Sequence, residues 1–201
     1  MSRGTAYGPV SISFHWAIAA LFLGQILLGF SMERVNSMAL QFELIQWHKS
    51  FGFLILALGT LRLCWRIASG TPVPAAVLGG FERKAAALVQ RALLALTLIV
   101  PLAGWALAST STLGVPSFAF YLVIVPHLPL APSAAAEAFW RETHQLLAYA
   151  TLLLVAGHAA AALRHHFLLR DDVLSRMLPG LSPGLAEPAA TRPVKRTSDD
   201  A

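Results

Sequence analysis

Four long apolar runs dominate the hydropathy pattern of the chain, and most charged residues lie between them. Each run reaches the roughly 20 residues that an α-helix needs to cross a bilayer. The runs cover residues 12–32, 44–65, 85–109 and 139–163. The pattern therefore predicts an all-α integral membrane protein that is built as a four-helix bundle.

A fifth apolar stretch covers residues 114–131. It contains Pro116, Pro126 and Pro129, and proline breaks helices because it lacks the backbone N–H and its ring clashes with the preceding turn. The stretch is also short for a membrane crossing. We therefore predict a partly helical loop that lies at the membrane surface.

The composition supports a membrane protein and excludes several kinds of site. Hydrophobic residues make up 56% of the chain and charged residues only 12%, with a mean hydropathy of +0.63. The net charge of +5 would suggest a nucleic-acid partner in a soluble protein. Here the basic residues cluster at the ends of apolar runs, so we expect lipid and not nucleic acid as the partner. Cys64 is the single cysteine, which excludes an intramolecular disulfide and a cysteine-ligated iron–sulfur cluster.

The basic residues also predict the orientation of the helices. If both termini are cytoplasmic, 12 of the 15 Lys and Arg residues fall on the cytoplasmic side, and only Arg34, Lys49 and Arg141 fall outside. Cytoplasmic loops of membrane proteins carry such an excess. We therefore predict cytoplasmic termini and a transmembrane domain over residues 1–178. Residues 179–201, which are rich in proline, alanine and charge, are predicted to form a disordered cytoplasmic tail.

Histidines lie near the ends of three of the four runs. An imidazole in hydrocarbon is costly unless a partner satisfies it, so a histidine within a span indicates a functional site. Alternating topology places His15 and His158 near the cytoplasmic side, and His48 and His144 near the periplasmic side. The pattern predicts two pairs at two depths, His15 with His158 and His48 with His144.

The spacing of His144 and His158 suits a single helix that serves two cofactors. Their separation of 14 residues corresponds to about 21 Å and close to four turns, so both rings leave nearly the same face. Haem iron takes two axial ligands, and imidazole is a common one. We therefore predict two haems stacked across the bilayer. The alternatives are histidines that only hydrogen-bond neighbouring helices, or histidines that bind a metal or a transported substrate directly.

Gly29 follows His15 by 14 residues, and Arg62 follows His48 by 14 residues. Each therefore lies on the same helix face as its histidine, at the depth of the other histidine pair. Gly29 would let a porphyrin edge approach the backbone, or it would serve close contact between helices. Arg62 would pair with a haem propionate, or its side chain would reach to the membrane interface. Gly52 and Gly59, on the second run, would likewise leave room for a porphyrin or serve close contact between helices.

Three histidines lie outside these pairs. His165 and His166 stand beside Arg164 where the fourth run ends, and we predict that they are interfacial residues. His127 lies in the proline-rich stretch and is predicted to be structural.

Several short motifs are similar to those of the bacterial cytochrome b561 family. They are ISFHW at 12–16, WHKSFG at 47–52, LRLCWR at 61–66, TPVP at 71–74, PLAGW at 101–105 and the closing pattern WRETHQLLAY…GHAAAALRHHF. The resemblance covers roughly residues 11–179. It implies a four-helix protein of the bacterial inner membrane that holds two b-type haems and exchanges electrons with the quinone pool. The axial ligands that it implies are His15, His48, His144 and His158.

The size and the closing pattern resemble the superoxide oxidase branch of that family, in which electrons pass from periplasmic superoxide to ubiquinone. This resemblance implies a superoxide:ubiquinone oxidoreductase with a quinone pocket, for which residues 118–126 are a candidate. Lys49 and Arg141 would steer the anion, or they are ordinary interfacial cations. The alternative is a haem-bearing membrane anchor or electron-transfer subunit of a larger dehydrogenase or hydrogenase. A partner protein that co-purifies with the chain would favour the alternative.

Overall fold

The computed structural model describes residues 7–70 and 79–178, and the statements below concern those residues. All four long helices have the length and apolar composition to cross a membrane, which confirms the predicted spans. They are α1 (Pro9–Met32), α2 (Met38–Ser69), α3 (Gly80–Thr110) and α4 (Ala134–Arg164). The TPVP motif at 71–74 and the predicted tail at 179–201 lie outside the described residues.

Proline and serine set where three of the helices begin. Pro9 opens α1, where its missing N–H has no helical partner to lose. The Ser37 hydroxyl accepts a hydrogen bond from the Leu40 N–H ahead of α2, and the Ser133 hydroxyl accepts one from the Ala136 N–H ahead of α4. These caps satisfy backbone donors that a helix start leaves unpaired. They lie outside the apolar runs, so the helices are longer than the runs that predicted them.

The helices pack in chain order, α1 on α2, α2 on α3 and α3 on α4. Consecutive helices run in opposite directions, so α1 begins at the end of the bundle where α4 finishes. We call this the terminal end, and it contains His15 and His158. We call the opposite end, which contains His48 and His144, the hairpin end, because the β-hairpin described next lies there.

The stretch between α3 and α4 is a β-hairpin. Strands β1 (Ser117–Ala119) and β2 (Val123–Val125) pair antiparallel, with Phe118 opposite Ile124. The predicted partly helical loop is therefore wrong in its secondary structure. The β-branched run of β2 favours a strand, and the prolines lie before β1 and after β2, where they do not interrupt the ladder.

Two buried polar side chains of α2 hold the hairpin in place. The Gln46 side chain accepts a hydrogen bond from the Phe118 N–H at 3.2 Å and donates one to the Pro116 carbonyl at 3.2 Å. The Ser50 hydroxyl accepts a hydrogen bond from the Phe120 N–H at 2.9 Å. The hairpin therefore lies fixed against the hairpin end of α2.

The chain folds back on itself after α4. A π-helical turn, His165–Leu169, follows α4, and Arg170 then takes a left-handed backbone conformation with φ of 53°. The reversed chain reaches the start of α1, where the Trp16 indole N–H donates a hydrogen bond to the Met177 carbonyl at 2.8 Å. We call residues 170–178 the terminal cap because they lie across the terminal end of the bundle.

Candidate functional site

The structure brings the four span histidines together as two pairs at opposite ends of the bundle. At the hairpin end, the ring centroids of His48 and His144 lie 6.1 Å apart with an interplanar angle of 85°. At the terminal end, the centroids of His15 and His158 lie 6.3 Å apart with an angle of 64°. Each pair joins two helices that are not neighbours in the chain order, α2 with α4 and α1 with α4.

These separations match two imidazoles that share one metal ion. Metal–imidazole bonds of about 2.0–2.1 Å place the two bonded nitrogens about 4 Å apart and the ring centroids about 6 Å apart. In the described part of the chain, no group of three or more His, Cys, Asp or Glu residues converges on one point. The donor sets are therefore pairs of imidazoles, which is what bis-histidine ligation of haem iron requires.

A cavity of about 1800 Å³ runs through the bundle between the two pairs. All four helices and all four of these histidines line it. A pocket for a single ligand typically has about 300–1,000 Å³, so this space has room for more than one large ligand. Of residues 116–126, which the structure describes in full, none lines the cavity.

At the hairpin end, a backbone carbonyl fixes the ring of His144. His144 Nδ1 lies 3.0 Å from the Val100 carbonyl oxygen. Because a carbonyl only accepts hydrogen bonds, Nδ1 carries the hydrogen, and the lone pair on Nε2 is free to bind a metal. Gly104 makes this approach possible, since a Cβ there would lie 3.0 Å from His144 Cε1 and 3.2 Å from Nδ1.

The opposite ring, His48, lies against α1. A Cβ at Gly29 would lie 3.7 Å from His48 Cε1, so the glycine that the 14-residue count selected does face the hairpin-end pair. The Gln25 side chain donates a hydrogen bond to the His48 backbone carbonyl at 2.8 Å. His48 Nδ1 is buried without a hydrogen-bond partner among the described residues. A buried imidazole with an unpaired nitrogen is a group that a ligand would satisfy.

At the terminal end, Arg62 lies beside the ring of His15. Its guanidinium nitrogen Nη2 is 3.3 Å from His15 Nδ1, and Trp16 meets the same ring edge-on with centroids 5.2 Å apart. The predicted cation is therefore present at the depth of the terminal-end pair. It lines the cavity together with that pair.

The other two predicted glycines differ in what they contact. A Cβ at Gly59 would lie 2.7 Å from Thr97 Oγ1, so Gly59 serves close contact between α2 and α3 and not a cofactor. A Cβ at Gly52 would meet the Gln25 side chain at 3.3 Å. Gly52 thus gives Gln25 the room to reach the α2 backbone.

The two predicted steering cations have different surroundings. Arg141 forms an ion pair with Glu137 at 2.6 Å, and Glu137 also accepts a hydrogen bond from the Thr112 N–H. Lys49 follows His48 directly, is half-buried and lines the cavity. The charge of Arg141 is therefore balanced locally by Glu137, whereas Lys49 lies next to a candidate ligand.

Sequence reasoning missed three residues that the structure places in the site. They are Gly104, Gln25 and His165. His165 is 8% exposed, and its Nδ1 lies 2.6 Å from Asp171 Oδ2. The sequence does contain an indication of its position. His165 follows His158 by seven residues, or about two helical turns, so the two side chains leave nearly the same face of the helix.

The residues present fit b-type haem. The two imidazole pairs have the required separation, and Gly29 and Gly104 leave room beside the hairpin-end rings. The nitrogen donors suit iron. Four membrane-spanning helices around such pairs define a class, the membrane cytochromes b.

The chain belongs to the prokaryotic cytochrome b561 family, whose model matches residues 6–180. It is 31% identical to cytochrome b561 homolog 2 of Escherichia coli (strain K12) over 173 residues, which are 86% of this chain and 90% of the relative. It is 30% identical to cytochrome b562 of Cereibacter sphaeroides over 183 residues, 89% and 98% of the two chains. A protein of Yersinia pestis named probable superoxide oxidase CybB is 27% identical over 180 residues, 86% and 96% of the two chains.

Family and fold together establish a multi-pass bacterial membrane protein of electron transport. The family implies b-type haem binding.

Proposed function

We propose that the chain is a dihaem cytochrome b that transfers electrons through the inner membrane, from a periplasmic donor to the quinone pool. The observation that carries this proposal is the presence of two imidazole pairs, each at an iron-bridging separation, at opposite ends of one cavity. His48 and His144 would hold one haem, and His15 and His158 the other. When bound, each haem iron accepts and releases one electron by changing between its ferric and ferrous states.

The protein's own residues position these groups. The Val100 carbonyl holds His144 with its Nε2 lone pair free, so the ligand nitrogen is set before anything binds. If His15 binds iron through Nε2, its hydrogen lies on Nδ1. Nδ1 then has no lone pair to accept a hydrogen bond from Arg62. The guanidinium of Arg62 then needs another acceptor, and a carboxylate such as a haem propionate suits its planar donors.

The proposed orientation places the terminal end in the cytoplasm and the hairpin end in the periplasm. It rests on the 12 of 15 basic residues that this orientation brings to the cytoplasmic side. The donor would then reach the His48–His144 pair, beside which Lys49 supplies a positive charge. Superoxide is an anion that a lysine attracts, so the structure favours a superoxide:ubiquinone oxidoreductase.

One observation favours the alternative, an anchor or electron-transfer subunit of a larger dehydrogenase or hydrogenase. The hairpin exposes Leu122, Val123 and Ile124, which are 85%, 62% and 62% exposed. Exposed apolar side chains at a membrane surface meet either lipid or another protein. Under this alternative a partner protein co-purifies with the chain, and superoxide does not reduce the haems.

The first test is purification in mild detergent, with reduced-minus-oxidised spectra and a haem count per chain. We expect two b-type haems in the wild type, and the loss of one haem, a different one, in His144→Ala and in His158→Ala. Superoxide is then added anaerobically with a soluble ubiquinone. Reduction of the quinone by the isolated chain supports the oxidoreductase, whereas a protein without haem contradicts both candidate functions.

A further inference from the structure

Two buried polar atoms at the hairpin end have no hydrogen-bond partner among the described residues, and they belong to residues that contact each other. They are Gln25 Oε1 on α1 and His48 Nδ1 on α2. Buried polar groups in proteins are nearly always paired, so an unpaired one calls for an explanation. An amide oxygen accepts hydrogen bonds, and a ring nitrogen that carries its hydrogen donates one. The two atoms are therefore complementary.

One hydrogen bond already joins the two residues. Gln25 Nε2 donates to the His48 backbone carbonyl at 2.8 Å. Because that carbonyl only accepts, the amide of Gln25 must direct its NH₂ group toward α2, and its oxygen is left for a different donor. Gly52 provides the room, since a Cβ there would lie 3.3 Å from Gln25 Nε2. The amide oxygen of Gln25 is thus held close to the backbone of a candidate ligand.

The ring of His48 directs one edge toward α1. A Cβ at Gly29 would lie 3.7 Å from His48 Cε1, and Nδ1 is bonded directly to Cε1. Gln25 precedes Gly29 by four residues, so both lie on the same face of α1. Nδ1 is the buried nitrogen of a ring that lines the cavity, which leaves Nε2 as the nitrogen for a metal.

The other ligand of the hairpin-end pair already has an acceptor of the kind that His48 lacks. His144 Nδ1 lies 3.0 Å from the Val100 carbonyl oxygen. A metal-binding imidazole almost always donates its second N–H to a carboxylate, a carbonyl or water, and this bond orients the ring and raises its basicity. Gln25 Oε1 is a buried acceptor that would give His48 the same kind of partner.

We propose that Gln25 is a positioning residue of the hairpin-end haem, whose amide oxygen accepts a hydrogen bond from His48 Nδ1–H when His48 binds iron through Nε2. The last side-chain torsion of glutamine is broad, so a rotation of the amide brings Oε1 toward Nδ1. This inference rests on the proposed function, which supplies the haem and the electron. It adds a residue that sets the balance between ferric and ferrous iron at the hairpin end.

This hydrogen bond has a definite effect on electron transfer. It places more negative charge on the ring, which stabilises ferric over ferrous iron and lowers the reduction potential. At the terminal end, the neighbour of His15 is the cation Arg62, with Nη2 3.3 Å from Nδ1, and a positive charge favours ferrous iron. The two residues act in the same direction. An electron that leaves ferrous iron at the hairpin end therefore passes downhill to ferric iron at the terminal end.

The test compares variants that separate the donor and the acceptor of the Gln25 amide. Gln25→Leu removes both, whereas Gln25→Glu keeps an acceptor oxygen. Each is made in the wild-type chain and in His158→Ala, where the hairpin-end haem is the one that remains. Gln41→Leu is the matched control, because Gln41 also lines the cavity but bonds to the Met32 carbonyl. Spectroelectrochemical titration of the purified full-length protein measures the potentials, and the haem count is taken for each variant.

We expect Gln25→Leu to raise the potential of the hairpin-end haem, because ferric iron then has a less basic ligand. The expected change is about tenfold in the equilibrium between ferric and ferrous iron, the lower end of what such partners contribute, or about 59 mV for one electron. Gln25→Glu does not raise the potential, and Gln41→Leu keeps the wild-type value. The EPR g values of the ferric hairpin-end haem change in Gln25→Leu, since they follow the donor strength of the axial ligands. The terminal-end haem keeps its potential in Gln25→Leu.

Three outcomes would overturn the inference. Equal potentials in Gln25→Leu and Gln41→Leu would mean that Gln25 is not the partner of the His48 ring. A rise in both Gln25→Leu and Gln25→Glu would assign the effect to the lost donor, which bonds to the His48 carbonyl. Loss of the hairpin-end haem in both variants would make Gln25 a packing residue, whereas loss in Gln25→Leu alone supports the acceptor. A wild-type protein without haem contradicts the proposed function itself, and the haem count reveals this before any potentials are compared.

Discussion

At the scale of single residues, the direction of one hydrogen bond decides which imidazole nitrogen is free to bind iron. The Val100 carbonyl can only accept, so His144 must donate from Nδ1 and present Nε2 to the cavity. Gly104 is the residue that lets the ring come close enough for this bond. The lack of a side chain at Gly104 thus fixes the orientation of a candidate ligand on another helix.

We predict that Gly104→Ala loses the hairpin-end haem and keeps the terminal-end haem. The new methyl group would lie 3.0 Å from His144 Cε1, and the ring must move away from the Val100 carbonyl because so short a contact is strongly repulsive. The measurement is the haem count per chain with the reduced-minus-oxidised spectrum. Gly24→Ala is the control, since a Cβ there meets no atom within 4 Å. Two haems in Gly104→Ala would show that His144 tolerates displacement.

Arg62 gives a second prediction at this scale. A positive charge beside a haem favours the reduced state, which carries one electron more, so Arg62→Gln lowers the potential of the terminal-end haem. The expected shift is about 50 mV, which corresponds to roughly 1 kcal/mol for a one-electron couple. Redox titration of the two haems measures it, with Arg62→Lys as the charge-preserving control. An equal shift of both potentials would place Arg62 away from the terminal-end pair.

The sequence predicted the histidine pairs because depth in a membrane is simple arithmetic along a helix. It could not predict Gly104 or Gln25, because their roles depend on which face of a neighbouring helix they meet. The partner of His165 could not be predicted either, because it is the reversal at Arg170 that brings the Asp171 carboxylate to the imidazole.

At the scale of elements, the hairpin depends on side chains of α2 more than on its own ladder. Its strands have three residues each, and an isolated hairpin of that size is not stable in water. The turn also places Phe120 and Tyr121 in left-handed conformations, with φ of 53° and 57°, which is unfavourable for bulky residues. Proline content alone therefore could not predict this element, since its stability comes from Gln46 and Ser50, about 70 residues earlier in the chain.

We predict that Gln46→Leu releases the hairpin. The substitution keeps the volume but removes the partners of the Phe118 N–H and the Pro116 carbonyl, and the net loss is about 0.5–1.5 kcal/mol for each hydrogen bond. Chymotrypsin should then cleave the hairpin at least about tenfold faster, because cleavage follows the population of the open form. Gln41→Leu is the control, since Gln41 bonds to the Met32 carbonyl. Equal cleavage of the two variants would mean that Gln46 does not hold the hairpin.

At the scale of the whole molecule, the distribution of polar groups is reversed relative to a soluble bundle. Leu27, Leu61 and Leu146 do not line the cavity and are 68%, 55% and 71% exposed, whereas Gln46 and Ser50 are fully buried. Lipid covers the outer surface, so composition alone predicted the class of fold. The interior is built around a cavity and not around a packed core, and hydropathy alone does not predict this.

The charge distribution around the cavity leads to the last prediction, which concerns the attraction of an anionic donor. Lys49 lies on the wall of the cavity beside His48, so Lys49→Gln should slow reduction of the haems by superoxide several-fold at low ionic strength. The difference from the wild type should vanish as salt is raised, because charges farther apart than about 10 Å are screened at 0.1 M. Pulsed superoxide with stopped-flow absorbance measures the second-order rate constant.

The matched control is the double variant Arg141→Gln with Glu137→Gln, which removes an ion pair without changing the net charge and should react like the wild type. A Lys49→Gln rate equal to that of the wild type at every ionic strength would mean that the donor is neutral or enters elsewhere. A large loss in the double variant instead would assign the entrance to the outer end of α4.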